Sequence, residues 1–345
     1  MRSRCHFLFL PRRGRKTAVA IVLLALAAAS LVVSAQTTPL SLVSTAWPPF
    51  TDAPGQPRFA LDLVEAAFGR IGLSARTSIV GAAQFTPSLL TGRFDGSAAA
   101  WKDAERERVL LFSQPYLENR LVLVGRRGSD VSAKTLADLK GKRVAIVEGY
   151  AYGDTIDSSG PVWVRSRSEE DSLGQLLNSR ADYTLMDELV VQYIASNYPK
   201  ESGEKLQIGT TPLLTRGLYL AVRRSRPDAE SIITRFNAQL RGMIADGTYH
   251  RLLHVDWILA DVNGDGVAEI VPRDSKPGPA APERVYNLFT TDQSAPKPAS
   301  TTKPGFYVGG NIYSDWASVP DSYKTPNAQP PDYRRSSASI FKFTW

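Results

Sequence analysis

Between residues 40 and 249 the chain alternates short apolar runs with longer stretches whose apolar positions recur at helical spacing. Leu40-Ser-Leu-Val-Ser44 reads as a strand. Phe59 to Ile71 reads as a helix, because Leu61, Val64, Ala67, Phe68 and Ile71 share one face and Gly72 follows as a stop. Arg143-Val-Ala-Ile-Val147 has the pattern of a buried strand behind the polar Lys140-Gly-Lys142 turn. A helix over Ser172 to Asn178, strands at Tyr183-Thr-Leu-Met186 and Leu218-Tyr-Leu-Ala-Val222, and a long amphipathic helix from Asp228 to Ile244, ended by Asp246-Gly247, continue the alternation. Strand-helix alternation predicts an α/β fold, and 345 residues exceed the usual single domain, so two lobes or domains are expected.

Past Asp256 the pattern breaks. Residues 272–345 hold 11 of the 23 prolines, which cannot continue a helix and supply little to bury. They predict a Pro-rich C-terminal tail, partly disordered, with Phe306 to Trp316 and Phe341 to Trp345 as aromatic pieces able to dock on the body. At the other end, Arg12-Arg13-Gly14-Arg15-Lys16 precedes an apolar run from Ala18 to Val33 and the small residues Val33-Ser34-Ala35. That is the layout of a signal peptide over residues 1–35, and the run is short for a membrane span; a retained N-terminal anchor is the alternative. Both readings put the body outside the cytoplasm, in the periplasm.

Charge adds one exclusion. The net charge is +7, but the leader holds six basic residues and no acid, leaving 35 basic against 34 acidic side chains. A body near neutrality has no clustered basic surface for nucleic acid. The single cysteine, Cys5, lies in the leader, so the body has no disulfide and no thiol nucleophile. Three histidines, no G-x-S-x-G and no phosphate-binding glycine loop leave little for catalysis.

A different set of motifs carries the functional signal: Trp47-Pro-Pro-Phe50, Asp95-Gly96, Glu105-Arg106 six residues before Phe112-Ser-Gln-Pro-Tyr116, Gly141 through Gly149, Ser179-Arg-Ala-Asp182 followed by Asp187, Asn237-Ala-Gln-Leu240, and Ala245 through Tyr249. Here the chain resembles the family 3 periplasmic solute-binding proteins, the polar amino-acid receptors of ABC importers, over about residues 40–256. The resemblance implies a type II periplasmic binding protein with two lobes, a Venus-flytrap. Residues 40–122 plus 215–256 would form lobe 1 and residues 123–214 lobe 2. It implies a non-catalytic monomer that captures an amino acid or small carboxylate and hands it to an inner-membrane ABC permease.

The resemblance also assigns roles. Arg106 matches the residue that grips the ligand carboxylate in a planar fork, and Asp187, in the other lobe, matches the carboxylate that meets the ammonium. Trp47 matches the ring that stacks on the ligand, with Phe50 in the same motif; main-chain groups near Ala99 and at Gly149 to Ala151 should complete the hydrogen bonding. Each residue also has a plainer reading: a solvated helix-start arginine for Arg106, a helix N-cap for Asp187, core packing for Trp47. With the cleft open, Arg106 is expected in water, so its removal should barely change the stability of the empty protein. Two pocket positions depart from the family pattern: Trp101 and Tyr150 stand where Ser or Thr is usual, which leaves the ligand open.

Asp261-Val-Asn263-Gly-Asp265-Gly266-Val267-Ala-Glu269 spaces its oxygen groups as a calcium loop does, although position 12, where an EF-hand has Glu, is Pro272. Asp261, Asn263, Asp265, Val267 and Glu269 are therefore candidate Ca2+ ligands over residues 257–272, no cofactor being required otherwise; a plain Asx-Gly turn is the alternative. Two other functions fit the same scaffold. One is an enzyme like the cyclohexadienyl dehydratases, with Glu148 as the nearest candidate acid, and the other is a ligand-free interaction or sensor protein.

Overall fold

The computed structural model describes residues 38–153, 156, 160–273, 277–288 and 303–324. The leader and the aromatic end Phe341 to Trp345 lie outside the described residues. The main sheet uses strands β1 (Leu40–Thr45), β2 (Ala75–Val80), β3 (Gly96–Ala100), β4 (Leu110–Phe112), β5 (Leu117–Arg126), β6 (Arg143–Val147), β7 (Val162–Ser166), β8 (Tyr183–Asp187) and β9 (Leu206–Arg223). Their order is β2-β1-β3-β9-β5-β8-β6-β7, with β4 also on β9. β1 pairs in parallel with β2 and β3, and β6 in parallel with β7 and β8. Between these two parallel groups run β5 and β9, antiparallel to each other. The end of β9 pairs with β3 (Gly96 opposite Val222), its start with the end of β5 (Arg126 opposite Leu206), so these two strands pass through both lobes.

Parallel strands need both faces covered, which the helices supply. Lobe 1 carries α1 (Phe59–Arg70), α2 (Ala82–Leu90) and α3 (Ala104–Glu107); lobe 2 carries α4 (Glu169–Leu177), α5 (Glu188–Asn197) and α6 (Pro199–Lys205); α7 (Ala229–Ala245) and α8 (Thr248–Leu253) return to lobe 1. In α1 the side chains of Leu61, Val64 and Phe68 are buried, three and four residues apart, and Gly72 follows at φ +70°. In α7 the buried Ile232, Phe236, Leu240 and Met243 repeat that spacing, and the Phe236 ring lies 6.3 Å from Phe68 and 6.2 Å from Tyr116. Among the described residues no helix is long and apolar enough to cross a membrane.

The structure departs from the sequence pattern in three places. The strand expected at Leu218 to Val222 is the end of an 18-residue strand whose first part lacks alternation, since its register against β5 slips twice around Val122, near Gly209 and Pro212. The helix expected from Ser172 begins at Glu169, capped by Ser168 Oγ, which accepts from Asp171 N at 3.1 Å. Beyond Asp256, where a possible calcium loop over 257–272 and then a Pro-rich tail, partly disordered or docked on the body, are expected, stands a second sheet: β10 (Trp257–Ala260), β11 (Glu269–Pro272), β12 (Tyr286–Asn287), β13 (Phe306–Val308) and β14 (Asn311–Tyr313), in the order β12-β10-β11-β13-β14. Its prolines fall in the connections or, as with Pro272, at a strand end. Gly309 and Gly310, at φ +59° and +84°, make the two-residue turn between β13 and β14, and Phe306, Val308 and Val319 form its small core with Trp257 and Trp316.

Candidate functional site

Arg106 lies in α3, whose N-cap Asp103 accepts the Arg106 main-chain N–H at 2.7 Å and brings its other oxygen to 3.6 Å from Nε. The guanidinium is 2% exposed. Nη1 donates to Trp101 O at 2.8 Å; Nη2 donates to Thr86 Oγ1 at 2.7 Å and to Gly149 O at 3.0 Å. Trp101 and Thr86 belong to lobe 1 and Gly149 to lobe 2, so this one side chain ties the lobes together. Burial lowers its pKa and Asp103 opposes that. The expectation of an Arg106 in water is thus overturned: the cleft is shut around it. Gly149 permits this, with φ +78° and room for a Cβ only 3.0 Å from Ala82 O of α2.

The two departures from the family pattern fill the space beside the arginine. Trp101 and Tyr150 meet at 5.5 Å between ring centroids, and Trp47 lies 5.4 Å from Trp101 and 5.7 Å from Tyr150, all edge-on. Phe50 backs Trp47 at 4.5 Å, and Tyr152 approaches Trp101 at 5.3 Å. The Tyr150 hydroxyl reaches Thr45 Oγ1 across the cleft at 3.3 Å, and burial holds its pKa well above the ordinary value. Of the residues singled out in the sequence, Trp47, Ala99, Trp101, Arg106, Tyr150 and Ala151 line one cavity, together with Thr45, Phe85 and Leu218. Its volume is about 20 Å³, room for one water.

Asp187 is 1% exposed and is not among the residues that line this cavity. It caps α5 by accepting from Leu189 N at 2.7 Å, and its other oxygen accepts from Asn119 Nδ2 at 3.0 Å and Arg120 N at 3.1 Å. Asn119 in turn accepts from Trp101 Nε1 at 2.8 Å, so Trp101 links Arg106 to Asp187. Burial lifts the Asp187 pKa to about 7 against these hydrogen bonds. Glu169, at the start of α4, is buried as well, and burial, with Asp187 nearby, lifts it to about 8, which the Trp47 indole N–H partly opposes.

Thr86, Asn119, Tyr152 and Glu169 are site residues that the sequence patterns do not single out. For Glu169 a signal exists: Ser172, Leu173 and Leu176 are the buried face of α4, and Glu169 stands three, four and seven residues before them. Glu148, the candidate acid of the dehydratase reading, is exposed and does not line the cavity.

At the loop joining β10 to β11, Asp261 Oδ1 accepts from Gly264 N at 2.6 Å and Oδ2 from Gly266 N at 3.0 Å. Asp265 Oδ1 accepts from Val267 N at 2.8 Å, and Glu269 Oε2 from Val262 N at 3.4 Å. Among the described residues no three His, Cys, Asp or Glu side chains gather as a metal site. A calcium ion here would use the lone pairs of Asp261, Asp265 and Glu269 that the loop's own N–H groups leave over.

Known proteins resemble this body. Residues 41–259 match the model of the bacterial extracellular solute-binding proteins, family 3. ABC transporter arginine-binding protein 1 of Escherichia coli (strain K12) is 26% identical over 216 residues, covering 61% of this chain and 86% of that protein. Putative ABC transporter arginine-binding protein 2 of the same organism is 28% identical over 229 residues, 65% of this chain and 92% of that one. A mutant of ArgBP from T. maritima superposes with a TM-score of 0.52 at 27% identity, over 63% of this chain and 93% of its own. Two lobes joined by β5 and β9, and a family match spanning well over half of the sequence, lead to one conclusion: the chain belongs to the bacterial extracellular solute-binding proteins of family 3.

Proposed function

We propose that this protein receives an amino acid between its two lobes in the periplasm and delivers it, as a monomer, to an inner-membrane ABC permease. The observation that carries the reading is a buried guanidinium on lobe 1, Arg106, with buried carboxyls, Asp187 and Glu169, on lobe 2. A zwitterion needs both charges compensated once water is excluded, and this set supplies both signs across one cleft. Two relatives named for arginine direct the first test to L-arginine. The test is thermal unfolding of the mature chain with each amino acid in turn. A ligand at a hundredfold excess over its Kd should stabilise by about 2.7 kcal/mol; failure of every amino acid and small carboxylate to raise the melting temperature would overturn the reading.

One observation favours a second reading, an interaction or sensor protein that keeps the fold without a solute. The space beside Arg106 is about 20 Å³, and its guanidinium already has protein acceptors. An unchanged melting curve with every solute is the outcome this reading expects.

A further inference from the structure

The turn after β6 sets two successive residues of lobe 2 against the lobe 1 wall of the cleft. Gly149 O accepts from Arg106 Nη2 at 3.0 Å and from Thr86 Oγ1 at 3.2 Å. The Tyr150 ring lies 5.7 Å from Trp47 and 5.5 Å from Trp101, and its hydroxyl pairs with Thr45 Oγ1 at 3.3 Å. In the amino-acid reading, Arg106 grips the carboxylate of the solute and Trp47 faces its side chain. A carbonyl oxygen already rests on the first and an aromatic ring on the second, so the chain itself takes both places. The space left beside them is about 20 Å³, enough for one water and too little for an amino acid.

The backbone of the turn is suited to this. Gly149 has φ +78°, and a Cβ there would stand 3.0 Å from Ala82 O, so any larger residue would hold its carbonyl away from Arg106. Tyr152 is tied to its own lobe, its hydroxyl accepting from Val147 N at 2.9 Å, whereas the hydroxyl of Tyr150 finds its partner on the other lobe. A buried guanidinium without a solute needs acceptors, and Gly149 O is one. We propose that Gly149 and Tyr150 are a built-in stand-in for the solute: the empty cleft closes on them, and a solute binds only by displacing them, which makes Tyr150 the residue that sets the affinity threshold. This rests on the amino-acid reading above and adds an internal competitor to it. Displacement breaks the bonds of Tyr150 to Thr45 and of Gly149 to Arg106 and Thr86. A site that is competent in only a fraction of the molecules has its Kd raised by the inverse of that fraction, so self-closure weakens every solute.

The experiment joins single-molecule energy transfer between a label on each lobe of residues 36–345, without solute, to titration calorimetry with L-arginine. Empty wild type is expected to be mostly closed. Tyr150→Ser, which removes two ring pairs and a hydrogen bond from across the cleft, should raise the open-to-closed ratio by about tenfold and tighten L-arginine by up to that factor. Tyr150→Phe keeps the ring and loses only the bond to Thr45, so its ratio should rise by about threefold. An empty wild type that is mostly open overturns the proposal, and this arm needs no variant to fold. So does a Tyr150→Ser protein whose ratio is that of wild type. L-arginine bound by wild type and no more tightly by Tyr150→Ser overturns it too, because the ring would then hold the solute instead of replacing it; the amino-acid reading survives that result. If neither protein binds L-arginine or any other amino acid, the amino-acid reading itself fails, and the stand-in role with it.

Discussion

Arg106 is held by three neutral oxygens with Asp103 at 3.6 Å, an arrangement that leaves a cation buried with little direct neutralisation. Its removal would take the guanidinium donor from the Trp101 carbonyl and leave the Thr86 hydroxyl and Gly149 carbonyl only their bond to each other at 3.2 Å. Arg106→Ala is therefore expected to lower the stability of the empty protein by about 1–3 kcal/mol in a denaturant titration. Arg106→Lys should not restore it, because a point ammonium does not span the positions a planar fork reaches. Equal stability of wild type and Arg106→Ala would mean that the guanidinium is solvated in the empty protein. Glu169 and Asp187 give a second expectation at this scale. Both pKa values are raised, to about 8 and about 7, so the folded state holds protons that the unfolded chain releases at ordinary carboxyl values. The stability these acids contribute is present below about pH 4 and is lost as pH rises toward 8, at about 1.4 kcal/mol per pH unit for each group fully in its window. Melting temperature of the empty protein should accordingly fall from pH 5 to pH 8, and Glu169→Gln should flatten that fall. Parallel pH profiles for the two proteins would refute the assignment.

At the scale of elements, legibility followed local periodicity. α1 and α7 were readable because three- and four-residue spacing marks a helix without knowledge of its partner, and β6 because a buried parallel strand is a continuous apolar run, while β1 and β8 were shorter apolar pieces broken by Ser or Thr. The first part of β9 was not, since its pairing with β5 is irregular and no alternation is left to read. The Gly309-Gly310 hairpin turn was written in the chain but masked by the surrounding prolines. In the cleft, the motif around Glu105-Arg106 pointed to a residue the structure buries between the lobes, whereas Glu169, in a Ser168-Glu-Glu-Asp171 run, has the look of a solvated first turn until its spacing from Leu173 and Leu176 is counted. The loop from Asp261 to Glu269 belongs here too. A calcium ion on it remains our proposal, and a metal bound only by the folded state should stabilise by about 2.7 kcal/mol at a hundredfold excess over its Kd. Melting in calcium and in chelator measures this, with Asp265→Ala expected to abolish the difference. Coincident curves for wild type would mean that the loop's own N–H donors to Asp261 and Asp265 suffice.

Over the whole molecule, the extension beyond residue 259, where the family match ends, is bonded to the parts that must move when the lobes part. β10 continues from α8 of lobe 1, and β12 lies beside it, with Leu288 N donating to Leu259 O at 2.8 Å. From β12 the bonds go to β5 and lobe 2. Asn287 N donates to Glu118 Oε2 at 2.8 Å, Arg120 donates to Val285 O, and the Arg120 guanidinium sits 4.3 Å over the Tyr286 ring. Arg284 pairs with Glu188 Oε1 at 3.0 Å, and the Tyr286 hydroxyl donates to Glu188 Oε2 at 3.4 Å. Glu188 opens α5 directly after Asp187, so a strap rooted on lobe 1 ends one residue from the cleft acid of lobe 2. A rotation of the lobes about β5 and β9 strains that strap, which therefore favours the closed form. Arg284 is half exposed, and such a pair contributes at most about 1 kcal/mol, equivalent to a fivefold change in the open-to-closed ratio. The double variant Arg284→Ala, Tyr286→Phe is expected to raise the open-to-closed ratio by up to about that factor. The body has no cysteine, so one can be introduced in each lobe and labelled for single-molecule energy transfer on residues 36–345. Closure without ligand should become rarer in the variant. An unaltered distance distribution would mean that the extension rides on the body without holding it.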